Sequence, residues 1–433
     1  MLFLSQPVGT GFSYGQEIEG SLNPYTGEVE NATFGGIDGR YPIEDAYLLD
    51  TTDLAAVATW HVLQAFLGAL PQLDGKVKSK SFNLWTESYG GHYGPSFFKY
   101  FYEQNAMIDD GKAGGTKLDF NSLGLINAIV DEYIQAPYYP EFATKNTYGI
   151  KAVNDTVYEY MKFAALAEGF GCLAQVDQCR QVNRTTDVGK IICEQAADQC
   201  RTNVEGPYYQ FSGRGVYDIR HPYDDPTPPK YFNDYLNQAK VQDALGVNLN
   251  YTQSNADIYY AFQTTGDFVY PTFIEDLEML LNNSIRVAMF YGDADFICNW
   301  FGGEAISNAL QYTHAADFAK TGYVPFTVDG TEYGEVRQYG KFSFARIYEA
   351  GHEVPYYQPE ASLAYFKRTL EGKDIATGKK KVDAHLATHG KPKATHTEPF
   401  VPLTEPPPSA PSGSATAASE APASSSTGDV QYP

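Results

Sequence analysis

Positive charge is scarce in this 433-residue chain: 31 Lys and Arg stand against 53 Asp and Glu, a formal net charge of -22. A surface this acidic repels a phosphate backbone or an anionic bilayer, so nucleic acid is not an expected partner. No apolar run approaches the ~20 residues of a membrane-crossing helix, and no membrane span is expected. The opening MLFLSQPVGTG has neither a long apolar stretch nor a cationic start, and so does not read as a leader peptide. With 43% hydrophobic residues the chain nevertheless buries a full core.

Cysteine is sparse, but its spacing is informative. Cys172, Cys179, Cys193 and Cys200 fall as C-x6-C-x13-C-x6-C, with Cys298 alone downstream. On two antiparallel helices, cysteines seven apart share a face about two turns from one another. A nested pairing, Cys172 with Cys200 and Cys179 with Cys193, would then staple a hairpin. A zinc site is the rival reading, but it wants shorter spacings within each ligand pair, so disulfides are favoured and no metal or cofactor is expected. Asn-x-Ser/Thr triplets at Asn31, Asn154, Asn183, Asn250 and Asn282 agree with a secretory route. The expected location is secreted or vacuolar.

Strand and helix patterns alternate, with one interruption. MLFL and SKSFNLW read as short buried strands joined by a crossover helix through IEDAYLLDTTDLAAVATWHVLQAFLGAL, a parallel βαβ unit. The strand LGLINAIVD follows the helix PSFFKYFYEQN. The pattern then lapses over residues 132–256, which hold the paired cysteines and a polar, tyrosine-rich composition expected of an inserted cap. It resumes over 257–380 with IEDLEMLLNN, SIRVAMFY and FSFARIYEA. The expected architecture is α/β, a mostly parallel sheet with helices on both faces, its core split into residues 1–131 and 257–380. Residues 381–433 turn to Pro, Ser, Ala and Thr and are expected to be a disordered tail.

In NLWTESYGGHYGP, Ser88 sits between an apolar strand and a helix, with glycines at 90 and 91 that let backbone and helix pack around a strained turn. That is the setting of a nucleophile elbow, although Thr86 replaces the first glycine of G-x-S-x-G. A helix-capping serine is the competing reading. The α/β-hydrolase order Ser, acid, His supplies a further criterion. Gly292-Asp293-Ala294-Asp295 follows the strand SIRVAMFY, and Gly351-His352-Glu353 follows FSFARIYEA. Of eight histidines, only His352 occupies such a loop after a strand.

LFLSQPVGTGFSYG, TESYGGHYGP, GDADFICNWFGG and AGHEVPYYQPE together resemble the serine carboxypeptidase family, α/β-hydrolases that remove single residues from peptide C-termini. YDIRHPYDDPTPPKYFNDYL is similar to fungal, carboxypeptidase Y-like members. The resemblance implies Ser88 as nucleophile, His352 as general base and acid, and Asp295 as its orienting acid, leaving Asp293 as a turn residue. It implies the Tyr89 N–H as an oxyanion donor, and Glu87 as a ligand for the substrate's terminal carboxylate through a shared proton, hence an acidic working pH. Cys298 matches an unpaired thiol that a thiol reagent is expected to reach. Glu353 is implied to line the pocket for the departing side chain and to tolerate Lys or Arg there. Peptide or protein C-termini are the expected substrates. In the family an Asn-Gly-Gly-Pro-Gly segment bearing the second oxyanion N–H precedes LFLSQPVGTG. The chain is therefore expected to be N-terminally truncated, with its first sheet strands missing. A carboxypeptidase-like acyltransferase and an inactive fragment or binding protein remain alternative readings.

Overall fold

The structure, a computed structural model, describes residues 1–403 apart from 24, 25, 27, 32–34, 78, 80 and 226. Its centre is a six-stranded sheet, ordered β4-β5-β6-β9-β8-β7, made of β4 (Ser81–Glu87), β5 (Asp119–Ile126), β6 (Arg286–Gly292), β7 (Val324–Val328), β8 (Thr331–Tyr339) and β9 (Phe342–Ile347). The pairings β4–β5, β5–β6 and β6–β9 are parallel, while β8 returns antiparallel between β9 and β7. β6 is buried throughout, and alternate residues feed two cores. Val287, Met289 and Tyr291 pack with Phe273, Leu277 and Ile306 of helices α12 (Thr272–Asn282) and α13 (Trp300–Ala309). Ala288 and Phe290 pack on the opposite face with Ala361 and Tyr365 of α16 (Pro359–Leu370). A strand covered on both faces reads as an unbroken apolar run, which is why SIRVAMFY does.

The βαβ unit expected at the start of the chain fails in two respects. Met1–Leu4 forms no strand, and Met1 and Phe3 are 93% and 86% exposed. An apolar tetrapeptide becomes a strand only where a neighbour offers its backbone, and among the described residues none lies beside it. β4 is therefore the edge of the sheet. The second departure is a separate antiparallel sheet, order β2-β1-β3, built from β1 (Gln16–Leu22), β2 (Val29–Glu30) and β3 (Ile37–Ile43). Helix α1 (Thr52–Leu73) thus runs from this small sheet to β4 instead of joining two parallel strands. By length and composition alone α1, at 22 residues, is long and apolar enough to cross a membrane, although no run of that length was expected. Its face of Ala55, Ala56, Trp60 and Leu63 packs against Phe97 and Phe101 of α2 (Gly90–Asp109), with Phe82 of β4 beneath.

Between β5 and β6 the chain leaves the sheet for a helical excursion: α3 (Glu132–Gln135), α4 (Tyr138–Lys145), α5 (Asp155–Leu166), α6 (Cys172–Arg180), α7 (Asp187–Cys200), α8 (Gly206–Phe211), α9 (Tyr231–Leu236) and α10 (Ala239–Leu245). We propose residues 132–256 as a cap on this basis. Cys172 pairs with Cys200 and Cys179 with Cys193, so α6 and α7 form the nested, stapled hairpin, its sulfurs fully buried beside Ala164 and Val176. Helix α11 (Ala256–Thr265) leads back to the sheet, and α14 (Ala315–Phe318) and α15 (Val354–Tyr357) complete the helices.

The expected tail does not begin at 381. Residues 381–403 lie as an extended strap whose backbone is paired: Tyr323 and Lys391 exchange bonds at 2.7 and 3.0 Å, and Thr388 N–H donates to Gln338 at 3.0 Å. His396 stacks on Tyr348 with ring centroids 3.7 Å apart. These contacts offset the ordering entropy that composition alone suggested could not be met. The remainder of the expected tail, 404–433, lies outside the described residues.

Candidate active site

Four parallel strand ends meet at one edge of the sheet, and the candidate residues occupy the loops that leave them, the place where open α/β sheets bind ligands. β4 ends at Glu87. Ser88 then adopts φ +62°, a left-handed conformation that costs a non-glycine residue roughly 1–2 kcal/mol. Its backbone is pinned on both sides: Ser88 N–H donates to Ile126 O at 3.0 Å, and Ser88 O accepts from Gly91 N–H at 2.9 Å and Ile129 N–H at 3.1 Å. Gly91 is required because a Cβ there would lie 2.0 Å from Ile129 O. Thr86, in the place of the missing glycine, faces Gly90 and donates from Oγ1 to Gly90 O at 2.8 Å. The departure from G-x-S-x-G is thereby accommodated.

Asp295 and His352 arrive from the loops after β6 and β9. His352 Nδ1 lies 2.7 Å from Asp295 Oδ2, and the same oxygen accepts from Asn127 Nδ2 at 2.7 Å. Both residues are buried, and His352 is held further by its N–H to Tyr217 O at 2.8 Å. Burial opposes the imidazolium, but the Asp295 carboxylate outweighs it and holds the His352 pKa well above its ordinary value. Asp293 is more than a turn residue. Fully buried, it accepts from Tyr148 Oη at 2.7 Å and faces Arg346 at 3.6 Å.

The Cys298 thiol lies beside both Ser88 and His352. The expectation that a thiol reagent reaches Cys298 meets a side chain 1% exposed, with burial pushing its pKa up to about 12. Alkylating reagents attack the thiolate, so burial and the raised pKa both slow their reaction with this sulfur. Ligand atoms of Asp295, Cys298 and His352 lie within 4.8 Å of one another, a set that suits a thiophilic cation at the expense of the Asp295–His352 contact.

Burial pushes the Glu87 pKa up to about 7; His352 pulls it down, while Glu353 and Asp295 push it up. Glu353, half-buried, is likewise raised by burial, and its Oε2 has no hydrogen-bond partner among the described residues. Tyr89 stands at the N-cap of α2, where helix geometry offers its N–H no acceptor. Asn31, Asn154, Asn183 and Asn282 are exposed. Asn250 is turned inward, its Oδ1 accepting from Arg40 N–H at 3.2 Å, and a Cβ on Gly39 would come within 2.3 Å of that oxygen. Asn127 escaped the sequence reading. Its signal was faint, a lone amide at the end of an apolar strand, where asparagine tolerates the φ of +38° found here.

A serine carboxypeptidase family model matches residues 1–372. The chain belongs to the serine carboxypeptidase family. It is 41% identical over 407 residues to a carboxypeptidase S1 homolog B of Arthroderma otae, covering 87% of this chain and 61% of that protein. A carboxypeptidase Y homolog of Arthroderma benhamiae is 36% identical over 437 residues, covering 94% and 68%. The chain thus spans about three fifths to two thirds of the length of these relatives. The crystal structure of a prohormone-processing carboxypeptidase from Saccharomyces cerevisiae superposes with a TM-score of 0.58 at 18% identity, over 83% of this chain and 71% of that one. That likeness extends the family assignment to the α/β-hydrolase fold.

Proposed function

We propose that this chain carries the catalytic machinery of a serine carboxypeptidase acting on peptide C-termini, with Ser88 as nucleophile, His352 as base and Asp295 as orienting acid. The observation that carries the reading is the 2.7 Å contact of His352 with Asp295 beside a serine held at φ +62°. With its Nδ1 proton directed at Asp295, neutral His352 takes the Ser88 proton at Nε2 as Oγ bonds to the scissile carbonyl carbon. The oxyanion that forms accepts from Tyr89 N–H. The C–N bond breaks as Nε2 returns the proton to the departing amine, leaving an acyl ester on Ser88. Water then adds to the ester, its proton passing through His352 to Ser88 Oγ as the shortened peptide leaves.

A protonated Glu87 donates to the carboxylate of the residue to be released, and its raised pKa supports an acidic working range. Glu353 lies at the same end of the site and suits a cationic departing side chain. The two disulfides and the four exposed sequon asparagines support a secreted or vacuolar location with glycans at those positions. The test is incubation of the protein and its Ser88→Ala variant with blocked dipeptides at pH 5, with products identified by mass. Single C-terminal residues released by the wild type alone support the proposal. Internal fragments, or acyl transfer to alcohols without peptide hydrolysis, overturn it.

A further inference from the structure

The serine elbow closes on itself through residues distant in sequence. Ser88 O accepts from Ile129 N–H at 3.1 Å. Ile129 O lies 2.9 Å from His92 Nδ1, and His92 Nε2 lies 3.1 Å from Phe268 O. Next to Phe268 is Asp267, whose Oδ2 accepts from Tyr89 Oη at 2.8 Å. Tyr89 follows Ser88, which completes the circuit. Within it the His92 and Tyr89 rings are stacked, centroids 4.5 Å apart at 14°.

Asp267 is fully buried and takes more than the phenol. Its Oδ1 accepts from the Thr52 N–H at 3.0 Å and from Arg184 Nη1 at 3.3 Å, and its Oδ2 also accepts from Thr52 Oγ1 at 2.6 Å. Thr52 opens α1, where unsatisfied N–H groups and the helix dipole favour an anion. Arg184 lies between the two disulfide-stapled helices, stacks over Tyr270 at 3.5 Å and pairs with Asp53. The carboxylate is therefore satisfied without Tyr89. Any acceptor would serve a buried phenol, but this one is fixed to a helix end and to the cap.

We propose that Asp267 is a positioning residue for the Tyr89 backbone N–H. Through the phenol it fixes the plane of the Ser88–Tyr89 peptide, whose N–H faces the forming oxyanion, and it ties that plane to the seat of the cap hairpin. The proposal rests on the serine-hydrolase reading above. A hydrogen-bond donor stabilises an oxyanion only when preorganised at about 2.7–3.1 Å, and small displacements of catalytic groups cost rate steeply.

The test compares Tyr89→Phe, Asp267→Asn, their combination and Thr52→Val in the whole protein, reading kcat, KM, melting temperature and affinity for a peptidyl boronate. The boronate's tetrahedral adduct places an oxyanion at the donor. Tyr89→Phe is expected to lower kcat and boronate affinity together, on the order of tenfold, with KM little changed. The double variant should fall no further than Asp267→Asn alone, since both changes act on the one Tyr89–Asp267 contact. Thr52→Val, which removes a different bond to the same carboxylate, should lower the melting temperature and leave kcat near wild type. Because Asp267→Asn also disturbs the α1 cap, Tyr89→Phe decides if that variant fails to fold. Wild-type kcat in Tyr89→Phe, or an equal kcat loss in Thr52→Val, overturns the proposal. A wild-type protein that binds no boronate and hydrolyses no peptide fails the underlying reading instead, and takes this one with it.

Discussion

Asn127 Nδ2 and His352 Nδ1 address the same oxygen of Asp295, each at 2.7 Å. Asn127 Oδ1 meanwhile accepts from Gly292 N–H at 2.9 Å, so one amide clamps the end of β6 to the acid that orients the imidazole. Asn127→Ala removes both bonds from a buried site. We expect a stability loss of about 2 kcal/mol, taking ~1–3 kcal/mol for each unmade buried bond after partial relaxation. A fall in kcat of at least tenfold should accompany it as Asp295 loses its anchor. Denaturant melts and steady-state kinetics read the two effects, and a stable variant with unchanged kcat would remove Asn127 from the site.

Within the helical excursion, Glu132 and Glu205 are both buried beside Arg201. Burial first, and for Glu132 also the Glu205 charge, raises both pKa values, Glu205 to about 7. Groups raised in the folded state hold protons that the unfolded chain, near the ordinary 4.5, has released. Their contribution to stability is therefore whole below about pH 4.5, and that of Glu205 is lost as pH rises through about 7. The loss should amount to a few kcal/mol, on the order of 1.4 kcal/mol per pKa unit. Glu205→Gln should flatten this slope. Melting temperatures at pH 5 and 7.5 give the comparison, and an identical drop in the variant would rule the pair out as its source.

Glu353 keeps a buried Oε2 without a hydrogen-bond partner among the described residues, within the electrostatic reach of Glu87 and His352. A Lys or Arg on the departing residue would supply that partner. Glu353→Met should thus lower kcat/KM for C-terminal Lys relative to Leu by about tenfold, the equivalent of ~1.4 kcal/mol. Competition between two blocked dipeptides measures the ratio directly, and an unmoved ratio excludes Glu353 as a selector.

What the sequence disclosed and what it withheld divide along the distance between partners. The loops that carry Ser88, Asp295 and His352 were legible because each follows an apolar strand that the local pattern already marks. The nested cysteines were legible because helical periodicity alone sets the face they share. Met1–Leu4 misled because apolarity states a preference for burial, not the presence of a pairing strand. The β1–β3 sheet passed unnoticed because QEIEGSL and IDGRYPI alternate too weakly to mark a face. Asn127 and Asp267 owe their significance to partners 168 and 178 residues away, Asp295 and Tyr89, and no local pattern encodes such a pair. The strap at 381–403 is held by backbone pairing with Tyr323 and Gln338, to which side-chain composition is blind.

The pH dependence of turnover follows from two groups that titrate against each other. In the proposed mechanism Glu87 carries a proton to receive the substrate's carboxylate, and burial pushes its pKa up to about 7. His352 must lack one to act as base, yet Asp295 holds its pKa well above the ordinary value. A bell-shaped profile of kcat/KM results, because the product of the two fractions falls on the acid side as His352 takes up a proton and on the alkaline side as Glu87 loses one. Glu87→Gln removes one requirement, since an amide donates to a carboxylate at any pH. Its alkaline limb should disappear, with activity rising to a plateau as His352 loses its proton. The optimum should therefore move to higher pH by about a unit or more, even though activity at pH 5 falls or holds. Steady-state rates on one blocked dipeptide from pH 4 to 9 provide the measurement. A Glu87→Gln profile that keeps the wild-type alkaline limb would show that Glu87 does not control the reaction's pH range.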